Sequence, residues 1–341
     1  MKVVYSDLHR SHVPGDVVEN GVSRPSRDVP ERMDAMLRAV KQAGLEVVGA
    51  ADHGLEALSA VHSAEYLSFL ASAYGEWKGS DLPGRVVPAA FETRPEAYRD
   101  SWSIVARAGF HLRDQITPVG EGTWDAAYWA AQTAITAADL VVNGERQVYA
   151  LCRPSGHHAG PDYGGGATYL NNAAIAARRL AADGKRIAIV DLDVHHGNGT
   201  QDIFWDDANI FFASIHRSPV NYYPHFTGFR EEMGGMSAEG ANMNHPLAKD
   251  GGDEEYLVGA EAILDAALEH NPAAVVVSLG FDALASDPAK GLSVTEEAFE
   301  KLGRLLGGVS LPVMLVQEGG YDPKSLQHVA ARFLDGFCSL R

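Results

Sequence analysis

An aspartate and a histidine two residues apart, Asp193-Val194-His195, close the apolar run IAIVDLD. Oxygen and nitrogen donors at such short range can both reach one cation, and the pair suits zinc or iron(II). A catalytic zinc keeps three protein ligands and leaves a position for water. The third ligand must then come from elsewhere, and Asp282, in GFDA, is the best candidate. Alone, Asp-x-His is a weak signal and is better read as a surface loop. Adjacent histidines, His157-His158, sit in a glycine-flanked loop, and a second pair follows at His195-His196. Imidazole is the side chain whose ordinary pKa permits acid–base work near neutrality; the bland alternative is loop polarity. Tyr321, in GGYD, could donate a hydrogen bond to a developing oxyanion, and the two glycines before it would let the backbone approach a ligand closely. In isolation it reads as a tyrosine packed on a turn.

The elements that must position these residues are legible as alternating patterns from about residue 147 onward. Strands are expected at 148–152, 187–193, 210–216, 273–280 and 311–320, and helices at 171–184, 253–270, 294–308 and 323–339. The strand runs are apolar throughout rather than alternating. That fits strands buried on both faces, hence an α/β, three-layer αβα fold with a central, mostly parallel sheet. In such sheets ligands bind outside the carboxyl ends of the strands. GHHA, DLDVHHGNGT, GFDALASDP and EGGY all fall at such ends. The N-terminal part is less regular: a strand over 1–5 and helical patterns at about 29–43, 64–78 and 123–143. Between Gly79 and Gly122 lies a stretch of scattered Pro, Gly, aromatic and charged residues, expected to form a long functional loop. No linker divides the chain, so a single domain over 1–341 is expected, with an insertion at about 79–122.

The bulk properties bound the function. The 341 residues are 46% hydrophobic and 21% charged, an ordinary globular composition. No apolar run reaches the ~18 residues of a membrane span, and the first residues do not resemble a signal peptide, so a cytoplasmic protein without membrane contact is expected. Cys152 and Cys338 fit neither a disulfide framework nor a zinc spacing. The formal net charge of -17 argues against a nucleic-acid partner and suits a cationic substrate, although it equally serves solubility.

Four strings, RPSGHHAGPDYGGGATYLNNAAIAA, DLDVHHGNGTQDIFW, SLGFDALASDP and EGGY, resemble the histone deacetylase superfamily, and within it the bacterial acetylpolyamine amidohydrolases. The likeness runs from about residue 50 to the end and is strongest over 147–325. It implies the arginase–deacetylase fold and a zinc-dependent amidohydrolase acting on acetylated polyamines or diamines, or more broadly on acetyl-lysine and other acylamines. It implies zinc on Asp193, His195 and Asp282, with His158 as general base and acid and His157 as its electrostatic partner. Tyr321 would polarise the acetyl carbonyl, Asp191 would stand behind the first histidine, and Asn198 behind the second. A structural potassium is implied near Asp191, Asp193, His195, Ser214 and Ile215, and a homodimer through the 79–122 segment.

The chain departs from the family pattern at the substrate tunnel. Tyr223 matches one aromatic wall, but the other ring falls at Ala167, beside Gly166, so that wall is expected to be open unless another loop fills it. Acidic substrate contacts are expected from the 95–120 region, where Glu96, Asp100, Asp114 and Glu121 are available. The arginase branch, with two manganese ions, would need aspartates where Gly197 and Gly280 stand. A catalytically silent member would lack the tyrosine or the histidine pair, and this chain has both.

Overall fold

The computed structural model describes residues 1–99 and 101–339; Asp100 lies outside them. The strands are β1 (Lys2–Tyr5), β2 (Asp16–Glu19), β3 (Val22–Pro25), β4 (Glu46–Gly49), β5 (Gln147–Ala150), β6 (Ile187–Asp191), β7 (Ile210–Arg217), β8 (Asn242–Leu247), β9 (Ala274–Leu279) and β10 (Val313–Gln317). Eight of them form one sheet in the order β4-β1-β5-β10-β9-β6-β7-β8, parallel at each pairing.

Alternate residues of each central strand enter two separate cores. Val3, Tyr149, Val190, Val275, Val277 and Leu315 pack with the helices Glu31–Gln42, Asp253–Glu269, Glu296–Gly307 and Pro323–Cys338. Val4, Val148, Ile189, Val276 and Met314 pack with Ala64–Gly79, Thr123–Val142 and Asn172–Leu180. Burying one such aliphatic side chain contributes ~1.5–3 kcal/mol, which explains why these strands are apolar on both faces. The edge strands differ. β4 is largely exposed, and β8 (NMNHPL) carries a proline that an edge position tolerates.

Two segments outside the sheet shape the site. β2 and β3 pair antiparallel across Asn20 (φ 52°) and Gly21 (φ 78°), a positive-φ pair of the kind that Asn-Gly supplies to a tight hairpin. The 79–122 stretch holds a helix, Ile104–His111, and Val86 bridges to Val119. Val86, Ile104, Ala108, Leu112 and Val119 are buried in the second core, so the stretch is packed against the body of the protein. No helix among the described residues is long and apolar enough to cross a membrane.

Candidate active site

The strands β5, β10, β9 and β6 are consecutive neighbours in the sheet. The four sequence clusters follow these four strands, so the parallel topology delivers His157, Tyr321, Asp282 and Asp193 to one crevice. Asp193, His195 and Asp282 each place a ligand-type atom within 4.8 Å of the others. His195 Nδ1 stands 3.0 Å from Asp193 Oδ1 and 3.2 Å from Asp282 Oδ2. The remaining oxygens are spoken for. Asp193 Oδ2 accepts the Gly319 N–H at 2.8 Å, and Asp282 Oδ1 accepts the Val194 N–H at 3.0 Å.

These residues fit a divalent cation. Both aspartates are fully buried, and Asp282 Oδ2 accepts no hydrogen bond of proper geometry. Burial, reinforced by the charge of Asp193, pushes the Asp282 carboxyl up to about 7, because two anions crowd a dry site. The backbone leaves this space deliberately clear. A Cβ on Gly319 would collide with both carboxylates, and one on Gly280 with Asp193. A Cβ on Gly197 would strike Asp191, so two positions where a second-metal site would need aspartates admit no side chain.

The histidine pair is split electrostatically. His157 Nδ1 lies 3.0 Å from Asp191 Oδ2, and its Nε2 3.7 Å from Asp193 Oδ1. Burial alone would lower His157, but the two carboxylates override it and push it up to about 10. His158, with its ring centroid 4.0 Å away, is driven well below its ordinary value by burial and then by the charge of His157. A neutral imidazole beside a charged one is what a general base and its electrostatic partner require. His158 Nδ1 meets Asn198 Oδ1 at 2.7 Å, and Asn198 opens the helix Asn198–Phe204. Ser214, implied for potassium, pairs with Asp191 across β6 and β7, and its hydroxyl contacts His216 Nδ1 at 2.8 Å; Ile215 is buried next to it.

A cavity lined by Val17, Ile116, His158, Ala167, Tyr223 and Tyr321 leads to these groups. The ring of Tyr223 stands edge-on to His158 at 4.8 Å. Facing it, Gly166 and Ala167 both adopt positive φ (59° and 62°), and no ring occupies Ala167. Ile116 lines the same cavity. Asp114 organises this mouth: its Oδ2 accepts from Tyr223 Oη at 2.8 Å and from the Gly166 N–H at 2.7 Å, while Oδ1 accepts from Ile116 N–H and Thr117. Thr117 in turn accepts the Ala167 N–H at 2.9 Å. Glu96 and Glu121 do not line the cavities at this mouth.

Several contributors are not evident from sequence. Glu318 accepts the Gly156 and His157 N–H groups behind the pair, at 2.8 and 3.3 Å. Asp28 joins the buried guanidiniums of Arg32 and Arg153, and Arg32 lies over the Tyr321 ring at 4.8 Å. The β2–β3 hairpin supplies Val17, Val18, Glu19 and Asn20 to the rim, and the Asn20-Gly21 turn is its signal in the sequence. Asp114, expected as an acidic substrate contact, instead holds Tyr223, and that role has no such signal because the two are 109 residues apart.

Comparison with known proteins agrees with this geometry. Residues 26–337 match the histone deacetylase domain model. The chain is 40% identical over 332 residues to an acetylpolyamine amidohydrolase of Burkholderia pseudomallei, covering 97% of this chain and 96% of that one. It is 38% identical to the acetylpolyamine amidohydrolase of Mycoplana ramosa over 341 residues, covering 98% and 99%. The crystal structure of acetylpolyamine aminohydrolase from Burkholderia pseudomallei superposes with a TM-score of 0.96 at 39% identity, covering 100% of this chain and 99% of that one. With an α/β parallel sheet of the same architecture and an Asp–His–Asp cluster at its crevice, the chain belongs to the histone deacetylase domain family and is an amidohydrolase of that family.

Proposed function

We propose that the chain hydrolyses the acetyl amide of acetylated polyamines or diamines, releasing acetate and the free amine. The full-length likeness to acetylpolyamine amidohydrolases carries this reading. Asp193, His195 and Asp282 would hold a zinc ion, which when bound supplies Lewis acidity toward the acetyl carbonyl and the attacking water. His158, neutral, accepts a proton from that water and later returns it to the departing amine. His157, paired with Asp191, stays charged and keeps its neighbour neutral. Tyr321 donates its hydroxyl proton in a hydrogen bond to the carbonyl oxygen as negative charge develops there. Tyr223 and the Gly166–Ala167 turn flank the acyl group. Potassium near Asp191, Asp193, His195, Ser214 and Ile215, and a homodimer through the 79–122 segment, belong to the same proposal. Uptake of potassium and light scattering test these two.

The broader reading, an acetyl-lysine or acylamine deacetylase, draws support from the mouth itself. Ala167 leaves one wall without a ring, and Glu19, Asp114 and Asp202 share the rim with Arg27 and Arg113, so no strong negative field is concentrated there. Attraction of a polyamine then relies on the net charge of -17 and fades with salt over a Debye length of ~8 Å. Turnover of N-acetylputrescine, N-acetylcadaverine, N-acetylspermidine and an acetyl-lysine peptide, compared at low and high salt, decides between them. A higher kcat/KM for an acetylated polyamine that shrinks with salt is expected. Equal efficiency for the peptide at low salt would make this a broad deacetylase.

A further inference from the structure

The general base is backed by an amide, and an amide is ambiguous. Asn198 offers oxygen on one edge and NH2 on the other, nearly the same shape. With Oδ1 toward His158, as observed at 2.7 Å, the imidazole must carry its proton on Nδ1 and presents a bare Nε2. Turned over, the amide would donate to Nδ1 and leave the proton on Nε2, where it cannot accept one from water. A carboxylate in this place would permit only the first arrangement. Something else must choose the orientation here.

The other edge of Asn198 makes that choice. Its Nδ2 donates to the hydroxyl of Tyr163 at 3.3 Å, and that hydroxyl donates to Oδ2 of Asp202. Tyr163 is buried, and the guanidinium of Arg113 lies over its ring at 4.6 Å. Asp202 reaches the solvent-facing rim of the pocket. An ionised carboxylate only accepts, so it claims the single phenolic proton. The phenol oxygen is left as an acceptor, which suits the NH2 of Asn198 and repels its carbonyl.

We propose, on the basis of the deacetylase function above, that Tyr163 and Asp202 are positioning residues that set the tautomer of His158 by fixing the orientation of Asn198. The chain of donors runs in one direction only: His158 Nδ1–H to Asn198, Asn198 N–H to Tyr163, Tyr163 O–H to Asp202. Neither Tyr163 nor Asp202 touches the reacting atoms.

The test uses Tyr163→Phe, which keeps the ring under Arg113, in the native background and in Asn198→Asp, where the acceptor cannot turn over. In the native background kcat should fall about tenfold at unchanged KM, the scale of one hydrogen bond. In the Asn198→Asp background the same change should alter kcat less than about twofold, because a carboxylate accepts from His158 Nδ1 whichever way it is turned and the tautomer no longer depends on Tyr163. Nitrogen-15 NMR of the zinc-loaded, histidine-labelled protein, with His158 assigned by its loss in His158→Gln, should show the neutral Nδ1–H tautomer alone in the native chain and a mixture of Nδ1–H and Nε2–H tautomers in Tyr163→Phe. An unchanged His158 tautomer in Tyr163→Phe, or the same fall in kcat in both backgrounds, would overturn the proposal. The NMR comparison needs no substrate. If no acetylated amine is turned over, the function above fails while the orientation of Asn198 is still decided.

Discussion

Replacing Asp282 by asparagine keeps the shape and the bond from the Val194 N–H but removes one of two buried negative charges. The carboxyl is held at about 7 against an ordinary 3.8, because burial and Asp193 both penalise its charge. At ~1.36 kcal/mol per pH unit, ionising it costs the metal-free fold about 4 kcal/mol. The sign follows from linkage. A carboxyl raised in the folded state costs nothing below about pH 4, where it is protonated in both states, and the cost grows until about pH 7 and is complete above it. Chelator-treated Asp282→Asn should therefore melt higher than chelator-treated native protein at pH 8. An unfolding entropy near 2.1 cal/mol/K per residue makes the gain roughly 6 °C, and it should vanish at pH 4. Zinc must reverse the order, because a ligand that binds only the folded state stabilises it and the variant has lost one donor. Differential scanning fluorimetry at the two pH values, with and without zinc, together with metal analysis, measures all of this. If the chelated variant melts no higher than the chelated native chain at pH 8, or holds a full equivalent of zinc as tightly, the account of the cluster is wrong.

Three other perturbations have defined outcomes. Tyr321→Phe should lower kcat by about 10²–10³ with zinc content unchanged, the usual effect of removing one oxyanion donor; near-normal turnover would assign that role elsewhere. Asp28→Asn strands two buried guanidiniums, Arg32 and Arg153, and should cost about 3–5 kcal/mol in urea unfolding. Burial works against Asp28, yet the two cations hold it at about 2, so this contribution should be complete above about pH 4 and fade as pH falls through about 2; a pH-independent difference would refute the ion pair. Asp114→Ala frees Tyr223 and the Gly166 N–H together and should raise KM for every acetylated amine more than it lowers kcat. An effect on kcat alone would show that the mouth does not depend on this carboxylate.

The candidate site was readable as a cluster because its members sit at the ends of buried parallel strands. There a continuous apolar run stops at a polar cluster, and the stop is visible without knowing the sheet order. The central strands and long helices were legible for the same reason. The edge strands were not: β4 is short and exposed, and β8 contains Asn242, Asn244 and Pro246, residues poor in strand character. The hairpin at Asn20-Gly21 carries a local signal and could have been found. The roles of Glu318, Tyr163 and the Asp28–Arg153 pair could not, nor could the hold of Asp114 on Tyr223, because each depends on a contact 35 to 163 residues away along the chain. Spacing along a chain encodes neighbours in an element, whereas these contacts arise only when separate loops meet over one crevice.

The clearance around Asp193 and Asp282 divides the molecule into parts with different freedom to change. Gly280 and Gly319 follow separate strands, and any side chain on either enters the space of the carboxylates. A library randomised at these two positions should return almost nothing but glycine when selected for turnover. The rim is a different case. Val17, Glu19, Ile116 and Ala167 come from loops and a hairpin outside the sheet, so their replacement leaves the cluster untouched. New substrate preferences should therefore arise by sequence drift around the opening, while the bond-breaking apparatus beneath it passes unaltered from one descendant to the next.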